Sequence, residues 1–261
     1  MEIIKLTQIT DLHLGVDASE LLGGIATLAS FESVLQAVKD QGRGSDPLLL
    51  TGDLASHCQA GAYQLLNRTL RHHEKQAYWL PGNHDDYDLM EQNLLDYPAR
   101  RTVDFGRWGL LTLDSSRPNK AGGHISDQQL QQVEQDLLKL AGKFILLAMH
   151  HSPVPVNCAW LDKQQIDNQH RLYELLQASG DVVAVITGHV HQQHDSKWGH
   201  IPIYSAPSSC VQFKPNSDDF ALCEQPPGYR WLDLCADGNL VTGVEFLSDF
   251  DQTPNLECDS Y

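Results

Sequence analysis

Aspartate, asparagine and histidine recur in five short motifs whose order along the chain suits metal chemistry. The motifs are Asp11-Leu12-His13, Gly52-Asp53, Gly82-Asn83-His84-Asp85, His150-His151 and Gly188-His189-Val190-His191. Carboxylate, amide and imidazole groups bind hard to borderline divalent and trivalent metal ions. Each motif alone is common by chance, but five in succession from so narrow a set of residue types are not. The sequence therefore predicts a metal site assembled from distant parts of the chain.

Each motif follows a short apolar run with the length of a buried strand. We predict strands over residues 3–9, 47–50, 76–80, 110–113, 144–149, 182–186 and 201–204. Strands of this kind that alternate with helices predict an α/β protein, in which ligands bind beyond the carboxyl ends of the strands. Five of these predicted strands end in one of the metal motifs. The elements thus place all five motifs at one edge of the fold.

Apolar residues at three- and four-residue spacing predict amphipathic helices between the strands. One stripe consists of Leu28, Phe31, Leu35 and Val38, and another of Leu130, Val133, Leu137 and Ala141. Ser126 precedes the second stripe as a candidate N-cap, with Gln129 as a capping-box partner.

The domain organisation follows from the spread of these patterns over 261 residues. We expect a single domain over residues 1–261, with the metal motifs in 11–191 and closing strands and a pocket loop in 192–248. Residues 207–227 have the composition of an ordered loop, and residues 230–246 predict a hairpin that turns at Asp237-Gly238. Residues 249–261 predict a loosely packed acidic tail.

Composition limits the classes of partner. Lys plus Arg is 18 and Asp plus Glu is 34, so the formal charge is −16, which disfavours a nucleic-acid partner. The six cysteines form no C-x-x-C pair, which is typical of reduced thiols. No secretory signal pattern is present, and no apolar run approaches the ~20 residues of a membrane span, so we expect a cytoplasmic protein without a membrane partner.

The ordered series D-x-H, GD, GNHD, H and GHxH resembles the calcineurin-like metallophosphoesterases from about residue 3 to residue 191. The resemblance implies a layered α-β-β-α sandwich with a dinuclear metal site at the carboxyl ends of its strands. Four segments go further and resemble the bacterial class III 3',5'-cyclic-AMP phosphodiesterases: residues 79–85, the His150-His151 pair with Pro153, Cys158-x-Trp160-Leu161-Asp162, and residues 209–215.

The family pattern implies two metal ions per chain. One ion would be held by Asp11, His13, Asp53 and His191, and the other by Asp53, Asn83, His150 and His189. Asp53 then bridges, which suits a carboxylate because its two oxygens can span ions ~3.5–4 Å apart. Iron paired with iron or manganese is expected, and zinc accepts the same ligands. The residues expected to contact the substrate are His13, Asp53, Asn83, His84 and His191.

The implied enzyme is a metal-dependent phosphodiesterase in which a metal-bound hydroxide opens 3',5'-cyclic AMP to 5'-AMP. His84 stands one residue beyond the ligand Asn83, so we assign it the protonation of the leaving alkoxide. Asp85 is the catalytic partner expected to orient the His84 imidazole. Trp160 and Phe213 either stack the purine or belong to the core, and Cys158 and Cys210 are expected to pack near the site.

Four alternatives remain to be weighed, one of which is a nuclease of the same superfamily, disfavoured by the formal charge of −16. A broader phosphodiesterase acting on glycerophosphodiesters or other small diesters has the same metal pattern. A protein Ser/Thr phosphatase would carry GDxVDRG and GNHE, whereas this chain has Gly52-Asp53-Leu54-Ala55-Ser56 and ends its third motif in Asp85. A non-enzymatic scaffold of the same fold loses metal ligands, and here every ligand position is filled.

Overall fold

The computed structural model of the protein describes residues 3–259. Residues 1, 2, 260 and 261, which include the outer ends of the expected domain (1–261) and of the expected tail (249–261), lie outside the described residues. In chain order the strands are β1 (Ile4–Ile9), β2 (Leu21–Leu22), β3 (Ile25–Ala26), β4 (Leu48–Thr51), β5 (Ala77–Leu80), β6 (Thr102–Asp104), β7 (Trp108–Leu113), β8 (Phe144–Met149), β9 (Val182–Thr187), β10 (His194–Trp198), β11 (Ile201–Ser205), β12 (Gln212–Phe213), β13 (Leu222–Cys223), β14 (Gly228–Leu234) and β15 (Leu240–Phe246). The helices are α1 (Thr27–Val38), α2 (Ala60–His72), α3 (Tyr87–Asn93), α4 (Asp127–Lys139) and α5 (Gln169–Ser179).

Two large sheets form the centre of the fold. The first has five strands in the order β15-β14-β1-β4-β5, and the second has six in the order β10-β11-β9-β8-β7-β6. Strands β1, β4 and β5 are parallel to one another, as are β7, β8, β9 and β11. All seven strands predicted from the sequence are present, with bounds within two residues of the prediction. The motif-bearing strands of each sheet therefore end at one edge.

Three apolar clusters pack the helices against the two sheets and the sheets against each other. Phe31, Leu35, Tyr63 and Leu66 on α1 and α2 pack against the outer face of the five-stranded sheet. Val133, Leu137, Leu172 and Leu176 on α4 and α5 pack against the outer face of the six-stranded sheet. Leu6, Leu49, Leu110, Leu146 and Ala184 lie between the two sheets. This arrangement confirms the α-β-β-α sandwich.

Edge strands were missed by the sequence pattern. Strands β6 and β10 pair antiparallel at the two edges of the six-stranded sheet. The β10 sequence His-Asp-Ser-Lys-Trp is largely polar because one face of this strand is open to solvent, so it has no apolar run. The closing hairpin β14–β15 is as predicted, with Gly238 N–H donating to the carbonyl of Cys235 in its turn.

Helix α4 begins at the predicted capping box. The Ser126 hydroxyl accepts from Gln129 N–H at 3.2 Å, and the Gln129 amide oxygen accepts from Ser126 N–H at 2.7 Å. The predicted stripe is wrong at its last member, because the helix ends at Lys139 and Ala141 is exposed. Leu140, the C-cap residue, is buried instead.

The acidic C-terminal segment is held in place more closely than the sequence suggested. Gln252 accepts a hydrogen bond from Ala26 N–H at 2.7 Å, and Asn255 N–H donates to the carbonyl of Gly23 at 2.8 Å. Phe250 packs against buried residues near strand β12. These contacts fasten the segment to the β2–β3 hairpin, which its polar composition could not indicate. Across residues 3–259, the structure has no helix with the length and apolarity needed to span a bilayer.

Candidate metal centre

The loops after the strands meet where the two sheets join. Asp11 N–H donates to the carbonyl of Gly52 at 3.0 Å, and His13 N–H donates to the carbonyl of Asp53 at 2.9 Å. His189, from the other sheet, donates its backbone N–H to the Asp11 carboxylate at 3.1 Å. The backbone itself therefore brings motifs 178 residues apart into one cluster.

The side chains of these loops converge on a small volume. His191 Nε2 lies 3.4 Å from Asp11 Oδ1 and 3.3 Å from His13 Nε2. His150 Nε2 lies 3.2 Å from Asp53 Oδ2. Four groups of three residues have ligand atoms within 4.8 Å of one another: Asp11, His13 and His191; Asp11, Asp53 and His150; His13, Asp53 and His84; and His150, His151 and His189. Asp11, His13, Asp53 and His150 each belong to two of these groups, so the groups form one continuous cluster.

Five of the predicted ligands adopt a backbone conformation that non-glycine residues rarely take. Their φ angles are 54° at Asp11, 47° at His13, 49° at Asp53, 70° at His189 and 45° at His191. Residues 3–259 contain nine non-glycine residues with positive φ, so five of the nine are predicted ligands. Such strained positions concentrate at functional sites, where the surrounding structure holds them in place.

Two glycines allow the loops to approach this closely. A Cβ on Gly82 would lie 2.2 Å from Asp53 Oδ1, and a Cβ on Gly52 would lie 2.4 Å from His150 Nδ1. Real Cβ atoms essentially never come this near to other atoms. The glycines of the GD and GNHD motifs are therefore required by packing of the ligand side chains.

Backbone carbonyls orient two of the imidazoles. His150 Nδ1 lies 2.7 Å from the carbonyl of Thr51, and His191 Nδ1 lies 2.8 Å from the carbonyl of Val211. A carbonyl only accepts hydrogen bonds, so Nδ1 carries the proton in both rings and Nε2 is left to bind a metal ion. Sequence motifs gave no sign of these carbonyls, because any residue type can supply one.

Several buried polar atoms of the cluster lack hydrogen-bond partners within the described part of the chain. They are Asp53 Oδ2, Asn83 Oδ1, His150 Nε2, and Nδ1 and Nε2 of His189. Buried polar groups are normally paired, because an unpaired one loses its hydration without compensation. These four residues are the second predicted ligand set, so their donor atoms without hydrogen-bond partners fit a metal ion held there.

The charges of the cluster also call for cations. Burial alone would lower the pKa of His150, but the Asp53 and Asp11 carboxylates raise it to about 9. Burial, reinforced by neighbouring imidazoles, holds the pKa of His13 and of His189 well below its usual value. Burial raises the pKa of Asp53, yet the facing histidines hold it well below its ordinary range. The Asp53 carboxylate thus stays charged and the His13 and His189 rings stay neutral, as in a metal-binding set, whereas a bound metal ion would displace the second ring proton of His150.

A known family has this combination of fold and motif order. The profile described as "Calcineurin-like phosphoesterase" matches residues 4–193. The chain belongs to the calcineurin-like phosphoesterase family. Members of this family bind a dinuclear metal site, and the His/Asp clusters of this chain lie where its motifs converge.

Three bacterial members of the family are similar to this chain over nearly its full length. The chain is 34% identical over 262 residues to the 3',5'-cyclic adenosine monophosphate phosphodiesterase CpdA of Haemophilus influenzae, an alignment that covers 99% of this chain and 96% of that protein. It is 35% identical over 261 residues to the CpdA of Escherichia coli, covering 99% and 95%. A 3',5'-cyclic-nucleotide phosphodiesterase of Nostoc is 34% identical over 244 residues, covering 93% and 92%.

Solved structures share the fold at low sequence identity. A dimetal phosphatase from Danio rerio matches with a TM-score of 0.62 and 14% identity, covering 92% of this chain and 98% of that one. GAP50, the anchor in the inner membrane complex of Plasmodium, matches with a TM-score of 0.64 and 11% identity, covering 98% and 90%. These likenesses extend the fold assignment over nearly the whole chain.

Asp85 does not have the position expected for a partner of His84. Its carboxylate accepts from the backbone N–H groups of Leu54 at 3.1 Å, Ala55 at 3.1 Å and Gly82 at 2.9 Å, and from the Tyr63 hydroxyl at 3.1 Å. The contact on His84 Nδ1 is instead the carbonyl of Ser56, at 3.1 Å. Asp85 therefore fastens the Asp53 loop to the Asn83 loop, which corrects the role predicted from adjacency.

The sequence allowed two roles for Trp160 and Phe213, stacking on the purine or packing in the core. In the structure both rings pack in one apolar cluster. Phe213 is fully buried, and its ring stacks on that of His191 with centroids 4.0 Å apart and planes 13° apart. Trp160 meets Phe213 edge-on at 5.0 Å within the same apolar cluster. Phe213 is thus core that supports a ligand, and its face is not open to a purine. Cys158 and Cys210 are buried in this cluster, as expected.

His151 supports the site without joining it. Its Nε2 lies 3.0 Å from the carbonyl of Ala121, and its Nδ1 lies 2.8 Å from the Ser115 hydroxyl. Burial and the charge of His150 lower the pKa of His151 to about 3, so the ring is neutral. Both ring nitrogens have partners, which leaves neither for a metal ion.

Asp85→Asn tests the fastening role of this carboxylate. An amide NH₂ would face backbone donors that now meet an oxygen, so at least one buried N–H loses its partner, at about 1–3 kcal/mol of unfolding free energy. We expect lower stability in urea and reduced metal content per chain. Asp86→Asn is the matched control, because Asp86 caps α3 and asparagine caps equally well. Unchanged stability and metal content in Asp85→Asn would contradict this role.

Proposed function

We propose that this protein hydrolyses 3',5'-cyclic AMP to 5'-AMP with two metal ions. The observation that carries the proposal is the convergence of the seven predicted ligand side chains, four of which have buried donor atoms without hydrogen-bond partners. Full-length similarity to cyclic-AMP phosphodiesterases of about 34% identity supports the substrate. The filled ligand set favours an enzyme over a scaffold.

The two ions would be held as the family pattern implies, with Asp53 between them. One set is Asp11, His13, Asp53 and His191, and the other is Asp53, Asn83, His150 and His189. We propose iron paired with iron or manganese, because nitrogen and oxygen donors of this kind suit these ions; zinc accepts the same set. Bound ions supply Lewis acidity toward the phosphoryl group and lower the pKa of a coordinated water.

His84 is positioned to protonate the leaving group. Its backbone N–H donates to Asp53 Oδ1 at 2.9 Å, which fixes the residue beside the proposed bridge. Its ring meets that of His13 edge-on at 5.0 Å, and the Ser56 carbonyl holds the Nδ1 proton. The Nε2 of an imidazolium at this position donates a proton to the departing ribose oxygen, and the Ser56 carbonyl stabilises the charged ring.

Asp53→Asn tests the bridging assignment. The amide oxygen still accepts the His84 N–H, but a neutral amide does not bridge two cations well. We therefore expect both sites to lose bound metal and the enzyme to lose essentially all activity. Metal analysis of the purified protein measures this directly. Asp218→Ala, in an exposed loop, is the control and keeps both ions. Two tightly bound ions per chain in Asp53→Asn would refute the bridge.

His84→Ala separates acid catalysis from metal binding. We expect turnover of a diester with an alkoxide leaving group to fall by about 10²–10⁴, with metal content near that of the wild type. The loss shrinks for a 4-nitrophenolate leaving group, which needs little protonation. His170→Ala, an exposed histidine on α5, is the control. An equal loss on both substrates would assign His84 to substrate positioning.

The substrate is tested by product analysis. Metal-loaded enzyme is incubated with 3',5'-cyclic AMP, and the mixture is separated by chromatography. We expect 5'-AMP as the product, because the leaving group at O3' lies opposite the attacking water. Recovery of intact cyclic AMP, alongside consumption of a glycerophosphodiester, would replace this proposal with a broader phosphodiesterase.

A further inference from the structure

A cavity of about 680 Å³ opens beside the metal centre, at the carboxyl ends of β5 and β7. This volume is within the range of small-molecule binding pockets. Its walls include the side chains of Trp79, Tyr87, Arg101, Asp114, Gln128 and Gln132. They come from α3, from the N-terminal half of α4, and from the strands and loops between them.

The cavity is lined by residues that neighbour two predicted ligands, Asn83 and His150, while no predicted ligand itself lines it. Its wall includes Pro81, which directly precedes the Gly82-Asn83 motif. Strands β7 and β8 are parallel neighbours with Leu113 opposite Met149, so the next residues, Asp114 and His150, emerge side by side. A diester whose phosphate lies at the metal centre can therefore extend one of its substituents into this cavity.

The walls present an aromatic ring and polar groups that have no partner. The Tyr87 ring packs against Trp79 with centroids 5.6 Å apart and is still 38% exposed. Trp79 is fixed in turn, because its Nε1 donates to the carbonyl of Tyr97 at 2.6 Å. The Tyr87 hydroxyl and the Gln128 amide make no hydrogen bond within residues 3–259, and Arg101 Nη2 is buried without a hydrogen-bond partner there.

Four charged residues line the cavity: Arg101 and Asp114 have polar partners, whereas Arg100 and Asp88 are exposed and make no ion pair within residues 3–259. Arg101 Nε pairs with Asp136 at 2.9 Å, and Gln132 donates to the same carboxylate at 3.1 Å. The Asp114 carboxylate accepts from the backbone N–H of Ser116 at 2.8 Å and from its hydroxyl at 2.7 Å. Two arginines and two aspartates line the cavity, so it offers a second phosphate no net positive charge. An uncharged heteroaromatic group with donors and acceptors on its edge fits these walls better.

We propose that this cavity receives the nucleobase of the substrate, which makes Tyr87 and Gln128 specificity-determining residues. Tyr87 stacks on the base, and the Gln128 amide hydrogen-bonds to its edge. The assignment rests on the proposed function, because it takes the phosphate of a cyclic nucleotide to lie at the metal centre. This cavity replaces the surface at Trp160 and Phe213 as the candidate binding site for the nucleobase.

Tyr87→Leu and Gln128→Ala test the assignment by the Michaelis constant. Leucine keeps apolar packing on Trp79 but removes the stacking ring, so we expect the Michaelis constant for cyclic AMP to rise roughly 10-fold. Turnover of methyl 4-nitrophenyl phosphate, a diester without a base, stays within about twofold of the wild type and shows that the metal centre is intact. Gln131→Ala, an exposed glutamine on the same helix, is the matched control for Gln128→Ala.

A second measurement separates failure of this assignment from failure of the proposed function. Adenosine has a base but no phosphate, and we expect it to inhibit hydrolysis of methyl 4-nitrophenyl phosphate in the wild type. In Tyr87→Leu that inhibition weakens about 10-fold. If the wild type leaves cyclic AMP intact but this loss of adenosine inhibition is seen, the cavity assignment stands and the proposed substrate falls. If adenosine inhibits both proteins equally, or neither, the cavity assignment is overturned.

Discussion

Two carboxylates, those of Asp11 and Asp53, are fully buried within reach of one imidazole, and the rest of the site depends on this fact. Removing a carboxylate from water is strongly unfavourable unless a positive group or a set of hydrogen bonds compensates for the lost hydration. The groups packed against this pair are chiefly imidazoles, and burial keeps two of them, His13 and His189, neutral. Cations are what such a cluster requires, and the unpaired oxygen and nitrogen atoms around it are the donors that would bind them.

The surrounding structure maintains this arrangement by means that are mostly backbone. Carbonyls fix the tautomers of His150 and His191, and backbone N–H groups hold the carboxylates of Asp11 and Asp85. Five ligands in the left-handed region contribute strain that the parallel strands on either side must offset. Because the site combines loops from both sheets, its geometry depends on the sandwich as a whole rather than on any single element.

Much of this could be predicted from the sequence. Apolar runs set the strands, and metal chemistry restricts the residue types at their ends, so Asp11, Asn83 and His189 could be assigned without coordinates. The role of Asp85 could not, because adjacency in sequence does not say which way a side chain points in a tight turn. The carbonyls of Thr51 and Ser56 leave no trace in residue type. The cavity beside Tyr87 was missed because its walls come from separate segments that only the packing of the two sheets brings together.

The hydrogen bond from His189 N–H to the Asp11 carboxylate spans 178 residues and has a consequence for the order of folding. During synthesis the N-terminus leaves the ribosome first. Asp11 therefore cannot accept this hydrogen bond until the GHxH motif at residues 188–191 has also left the ribosome. Until then Asp11 and Asp53 remain in water, since the fold that buries them is incomplete. Closing so long a loop is entropically slow, which favours late assembly of the metal centre, after both sheets have formed.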